Sequence, residues 1–275
     1  MSPILAAVVV TVLLAGGLFA WWAFQAPRSD RDWAADQARP ARVTFDGDRV
    51  AIQDLRDFRH TADGSDIEGY RSVEFDPADV QRVWFVLAPF ANRWRGLAHG
   101  FVSFELTGDR YVSISVEARR EADETYSLVG GLLRGFEKTY VVGTEEDLIG
   151  LRAVRGDTLF VYPSRAAPEQ ARALFVDMLR AAERLRTRPE FYNTLLDNCM
   201  TALRDHVNRL EGVSLPYGWG ILLPGYSDGL ALEHGLLDTE LPLELARERF
   251  RVDVRAREAL ERDASAAEFS RAIRP

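Results

Sequence analysis

From Ile4 to Phe24 the chain reads ILAAVVVTVLLAGGLFAWWAF, an apolar run with neither a charge nor a period. A helix of roughly 21 residues at 1.5 Å per residue spans a hydrocarbon core of about 30 Å. The pattern predicts a transmembrane anchor over residues 1–26, with Trp21 and Trp22 at the interface. A cleaved secretory signal is the rival reading. The length of the run, the lack of a basic residue before it and Pro27 directly after Ala26 favour the anchor. Residues 27–42 mix Pro, Asp, Arg and Ala without apolar period, which predicts a flexible tether.

Beyond the tether the apolar period is two. VTFDGDRVAI predicts a hairpin turning at its DGD, and RVWFVLAP (Arg82 to Pro89) a buried strand. HGFVSFEL (His99 to Leu106) and YVSISVEA (Tyr111 to Ala118) alternate cleanly about Thr-Gly-Asp, which predicts a second hairpin. Thr139 to Val142 and Asp157 to Tyr162 read as further strands. After Pro168 the period becomes helical: Ala171, Leu174, Phe175, Met178, Leu179, Ala182 and Leu185 share one face up to Pro189. Met200, Leu203, Val207 and Leu210 predict a second helix stopping at Gly212. Pro216 to Gly229 reads as a long ordered loop, and residues 246–275 as an amphipathic helical tail. The fold class expected is α+β, an antiparallel sheet packed on helices, with residues 43–245 as the main domain.

Composition narrows the function. Of 275 residues, 47% are hydrophobic and 28% charged, as in globular proteins, and 34 basic against 42 acidic residues give a net charge of −8. Bulk charge therefore does not hold nucleic acid. Lys138 is the single lysine, a bias towards arginine. Arg28, Arg31, Arg39 and Arg42 follow the apolar run, so the positive-inside rule taken literally puts the body in the cytoplasm. Cys199 is the single cysteine, which excludes an intrachain disulfide and thiolate-based zinc or iron–sulfur sites. No cofactor is expected.

Cys199 lies in DNCMTALRDHVNRL, where Asp197 or Asn198 can cap the following helix and leave the thiol in its first turn, among free N–H groups that favour a thiolate. The bland alternative is a buried structural cysteine. A nucleophilic thiol needs a base. His206 lies about 10 Å along the same helix, beyond hydrogen-bond reach, and His60 and His234 sit in polar, turn-like sequence. His99 opens a strand. With Val102, Phe104, Leu106, Val112, Ile114 and Val116 on the core face, opposed residue numbers must sum to an even number, and a three-residue turn gives 216. His99 then faces Glu117, on a polar face shared with Ser103, Glu105, Ser113 and Ser115, and a carboxylate opposite an imidazole can orient it. A plain solvent-facing strand pair is the alternative, and a register of 218 would put Arg119 opposite His99 instead.

AHGFVSFEL with YVSISVEARRE, FVDMLRAAERLRTRPEFYNTLLDNCMTAL and WGILLPGYSDGLALEHGLLDTELP together resemble the Lnb-type N-terminal periplasmic domain over residues 80 to 245. The resemblance implies a permuted papain-like thiol fold with a strand histidine ahead of a helix-borne Asn-Cys. Carried over, Cys199 is the nucleophile and His99 the base. Glu117 is taken as the orienting residue from the register, with Ser103 and Glu105 as lesser candidates, and Asn198 and Tyr192 are candidates for substrate or oxyanion support. The family's activity implies transfer of a fatty acyl group from phospholipid to a lipoprotein amine through a cysteine thioester. It also implies an inner-membrane, single-pass protein with a periplasmic body. Two other readings stand beside this one: a thiol peptidase or amidase acting on peptidoglycan or protein, and a non-catalytic anchored binding module with Cys199 in its core.

Overall fold

The computed structural model of the chain describes residues 2–61, 66–91 and 94–274. The uncharged run forms α1 (Pro3–Ala23), started by Pro3 and by the Ser2 side chain, which accepts from Leu5 N. Among the described residues it alone is long and apolar enough to cross a membrane, and none of it is buried against the body.

The segment expected to be a flexible tether is docked instead. Trp33 and Gln37 are buried, and the Arg119 guanidinium lies 4.1 Å from the Trp33 ring centre. Ala34 N donates to Arg120 O at 3.0 Å and Ala122 N to Asp32 O at 2.9 Å. The polar residues that made the segment look solvated satisfy partners at the ends of strands, a use that periodicity cannot register.

The body then runs through β1 (Arg42–Asp46), β2 (Arg49–Arg56), β3 (Tyr70–Phe75), β4 (Val80–Pro89), β5 (Ala98–Leu106), β6 (Arg110–Arg119), α2 (Leu128–Leu132), β7 (Glu137–Gly143), α3 (Glu145–Val154) and β8 (Phe160–Pro163). It continues with α4 (Pro168–Thr187), α5 (Cys199–Val207), α6 (Trp219–Leu222), α7 (Ser227–Glu233), α8 (Leu243–Phe250), α9 (Asp253–Glu261) and α10 (Ala266–Ala272). Among the described residues eight strands form one sheet in the order β1-β2-β7-β6-β5-β4-β8, with β3 also on β2. The pairs are antiparallel except for a single parallel bridge, Arg56 to Gly143, which makes the sheet mixed. The stretch expected to be loop, 216–229, is partly helical in α6 and α7, and the tail is three short helices laid on the body.

The 99–118 hairpin has the expected register, from Val102 opposite Ile114 to Leu106 opposite Arg110, each pair summing to 216. Its turn uses positive φ at Gly108 and Asp109. The six predicted core residues lie in one apolar cluster under α4, α5 and α8. The opposite face does not meet solvent: Phe101, Trp84 and Val141 pack there with Leu148, Ile149, Ala256 and Phe269 of α3, α9 and α10. Ser103, Ser113 and Ser115 are buried as well. Their face is a second interior, which the alternation of polar and apolar residues along the strands did not reveal.

α5 reaches the sheet at Gly100, where a Cβ would run into Met200 Sδ. Gly100→Ala is expected to lower the free energy of unfolding by about 1–3 kcal/mol, read by denaturant unfolding of the full chain, and by less in a Met200→Ala background. Equal losses in both backgrounds would place the limiting contact elsewhere.

Candidate functional site

The turn before α5 is built on Asn193. Its main chain exchanges bonds with Asp197 at 3.1 and 3.0 Å, and its side chain accepts from Leu195 N and Leu196 N at 3.0 and 2.9 Å. Lys138 holds Asp197 at 2.6 Å and Glu190 at 2.9 Å, so the chain's one lysine pins the approach to the helix. Of the two expected caps it is Asn198 that acts, accepting from Met200 N and Thr201 N at 2.8 and 2.9 Å while Asn198 N donates to Thr201 Oγ1 at 2.6 Å. Cys199 is thereby the first residue of the helix.

The thiol is buried. Burial pushes its pKa up, and the main-chain N–H groups of Gly100 and Met200, which favour the thiolate, do not outweigh it. The lowered pKa expected from a first-turn position is therefore corrected: desolvation of the charged form wins over the helix terminus. Tyr192 is buried in contact with the main chain of Cys199 and beside Tyr126, and burial followed by the nearby thiol raises its phenol.

His99 departs from the expected arrangement. The β5–β6 ladder ends at Val102, so His99 does not stand directly opposite Glu117. Its strand partner is Ala88 on β4. The imidazole reaches across to Ser115 instead, Nε2 to Oγ at 2.6 Å, and Ser115 Oγ donates to Glu117 Oε1 at 3.0 Å. The direct Nε2 to Oε1 distance is 3.6 Å, and Gln37 Nε2 donates to the other carboxylate oxygen at 3.0 Å. With the serine hydroxyl donating to the carboxylate, the tautomer that completes the chain carries its proton on Nε2 and leaves the lone pair on Nδ1. Burial, then the field of Arg152, lowers His99 to about 4 despite Glu117. Burial raises Glu117, but His99, Arg56, Arg152 and the Gln37 bond bring it down to about 2. At neutral pH the pair is a neutral imidazole beside a carboxylate. Among the described residues no hydrogen bond joins His99 to Cys199 or engages Nδ1, so the expected nucleophile–base pair is not closed.

Ser103 and Glu105 are not brought to the thiol. Ser103 donates to Glu145, which also holds Arg274, and Glu105 accepts from Trp84 Nε1 at 2.8 Å. Ser115, placed on the polar face of the hairpin but given no role, joins the site, together with Gln37 and Arg152 from positions that were not singled out. The role of Ser115 follows from the face it shares with His99, and α3, which carries Arg152, could have been found from Thr144 capping a run that opens Glu-Glu-Asp. Gln37 had no signal, since its role depends on the docked segment. His206 is a satisfied helix histidine, held by Tyr140 and Asp177 at 2.6 Å each.

Beside α5, on the face away from His99, lies a cavity of about 310 Å³. Phe85, Val102, Leu174, Met200, Leu203 and Leu230 are among its apolar lining, and Arg165, Arg204 and His234 also border it. Next to the lining residue Ser227, Asp228 is fully buried, and Arg95, Arg247 and the Tyr162 hydroxyl converge on it at 2.8–3.0 Å. Among the described residues no cluster of His, Cys, Asp and Glu is placed to hold a metal ion.

The family model of the Lnb N-terminal periplasmic domain matches residues 68–225, more than half of the chain. No curated protein and no solved structure matches it.

Two measurements check this electrostatic picture. An unfolded-chain histidine titrates near 6.5 and His99 near 4, so between these values the unfolded state binds more protons and stability climbs with pH; Glu117 acts likewise between about 2 and 4.5. His99→Gln is expected to flatten the stability curve between pH 4 and 6.5, compared by denaturant midpoints at both ends, and an unchanged slope would mean that His99 is not desolvated. Iodoacetamide is expected to alkylate native Cys199 more slowly at pH 7 than it alkylates the unfolded chain. Fast labelling of the native chain below pH 7 would contradict the raised pKa.

Proposed function

The chain belongs to the Lnb N-terminal periplasmic domain family, and we propose that it serves the bacterial envelope as an anchored module that binds an acyl chain in the cavity beside α5. α1 would hold it in the inner membrane by a single pass, with the body in the periplasm. The observation that carries this reading is the cavity itself. At about 310 Å³ it is at the lower end of ligand-site volumes. An apolar floor with arginines and a histidine at its border suits a lipid tail whose polar end stays outside.

A second reading, acyl transfer through Cys199, is favoured by the two main-chain N–H groups at the thiol and by the His99–Ser115–Glu117 chain. In it the imidazole turns its free Nδ1 to the thiol and takes the proton. The thiolate attacks the acyl carbonyl, a thioester forms, and the departing alcohol leaves with the proton held on Nδ1. A lipoprotein amine then takes the acyl group and Cys199 regains its proton. Water in place of the amine would make the same centre a hydrolase. His99 is neutral at pH 7 and can accept a proton, while burial, which lowers the imidazole and raises the thiol, makes that transfer uphill in the resting site.

The test uses the full chain in vesicles containing a phospholipid with a photoactivatable acyl tail. Cross-links are expected on peptides covering residues 200–215 and 227–237, and Leu203→Trp, which fills the cavity, is expected to reduce them at least tenfold without unfolding the chain. Cross-links confined to α1 would sink the binding reading. Intact mass separates the second reading: an acyl adduct on the wild type that is absent from Cys199→Ala supports transfer, and labelled peptides without any adduct leave binding alone.

A further inference from the structure

Six of the apolar side chains that meet water on the body lie in two neighbouring segments, α2 with its end and the turn before α5. α2 exposes Leu128, Val129 and Leu132, Leu133 follows, and the turn before α5 exposes Leu195 and Leu196, the last at 76%. These two groups are neighbours: Thr194 Oγ1 donates to Leu128 O at 3.0 Å, and a Cβ on Gly131 would strike the same hydroxyl. The Tyr217 hydroxyl, 2.7 Å from Leu195 O, extends the patch towards Trp219, itself 76% exposed. Residues 125–133 and 191–196 contain no charge. A contiguous apolar surface of this kind marks a contact rather than ordinary exterior.

Its position identifies the contact. Arg134, next to Leu133, donates to the Trp22 carbonyl at 3.1 Å, and its guanidinium lies 4.1 Å from the Trp22 ring centre. Trp22 belongs to the last turn of α1. Arg28 N donates to Glu137 Oε1 at 3.0 Å and Arg31 to Oε2 at 2.9 Å, which fixes the chain leaving α1 onto the first residue of β7. The patch therefore begins one residue from the contact that holds the end of α1 to the body.

We propose that Leu128, Val129, Leu132, Leu133, Leu195 and Leu196 form a second membrane contact, entering the boundary between headgroups and acyl chains in the leaflet where α1 ends. Arg134 lies at the level of the lipid phosphates. The uncharged, leucine-rich face with a basic residue and aromatic rings at its rim matches the chemistry of that boundary. Leu196 precedes Cys199 by three residues, so the contact turns the start of α5 towards lipid, and an apolar chain leaving the bilayer has no water layer to cross. The inference rests on α1 lying in the bilayer and is independent of any chemistry at Cys199.

The test places single cysteines at Val129→Cys, Leu196→Cys and Asp109→Cys in the full chain carrying Cys199→Ala, or Cys199→Ser if the alanine variant does not fold. Each is labelled with an environment-sensitive fluorophore in lipid nanodiscs. Asp109 is the control, in the turn at the far end of β5, roughly 30 Å from its start. Probes at 129 and 196 are expected to be quenched several-fold more by a nitroxide on the acyl chains than by a water-soluble quencher, and the probe at 109 the reverse. Probes at 129 and 196 that behave like the one at 109, in a chain still held by the nanodisc, would overturn the contact and leave the anchor standing. A chain not retained by the nanodisc would overturn both.

Discussion

The seat of α5 on Gly100 is the constraint on which the rest of the site depends. With hydrogen in place of a side chain, β5 lets Met200 lie against its backbone, and the start of the helix drops to where the β5–β6 ladder has just ended. That break frees the Gly100 N–H from a ladder partner on β6 and leaves it facing the thiol. The same break leaves His99 without a direct partner on β6, and the imidazole bonds Ser115 and reaches the carboxylate through it. The glycine lets Met200 and the start of α5 lie against β5, and the end of the ladder beside it gives the indirect route from histidine to glutamate.

Around this point the second interior is unusually polar, and its charges are paired. Arg56 makes two bonds of 2.8 Å to Asp147, which also takes His60 at 2.9 Å, and Glu145 takes Arg274 from the tail. Removing either partner of such a pair strands a buried charge, so the groups fix geometry more than they add net stability. Their fields also act on the site. Arg56 and Arg152 help keep Glu117 ionised, and Arg152 adds to the desolvation that keeps His99 neutral. In the resting structure the thiol and the imidazole are thereby both uncharged at neutral pH.

The apolar helix α1 and the body are coupled through residues that look unremarkable in sequence. Gln37, inside the docked segment, closes the chain that begins at His99 by binding Glu117, so the position of α1 and the state of the polar network share a physical link. The end of α1 meets the body near the turn that leads into Asn198 and Cys199, and the apolar cavity lies beside the same helix, α5.

Much of the fold was legible because apolar period reports burial directly. The 99–118 hairpin, its register of 216, the buried face of α4, the Asn198 cap and the first-turn place of Cys199 all follow from local spacing and turn chemistry. What local pattern cannot contain is what covers the other side. Ser103, Ser113 and Ser115 alternate with apolar residues as solvent-facing residues do, yet α3, α9 and α10 bury them; Ser103 is satisfied by Glu145 and Ser115 by His99 and Glu117, while Ser113 Oγ has no hydrogen-bond partner among the described residues. The docking of residues 27–42, the hand-over from His99 to Ser115 and the raised thiol pKa depend on groups distant in the chain. Tertiary structure alone decided them, since desolvation and hydrogen-bond geometry are properties of a three-dimensional neighbourhood and not of spacing along a sequence.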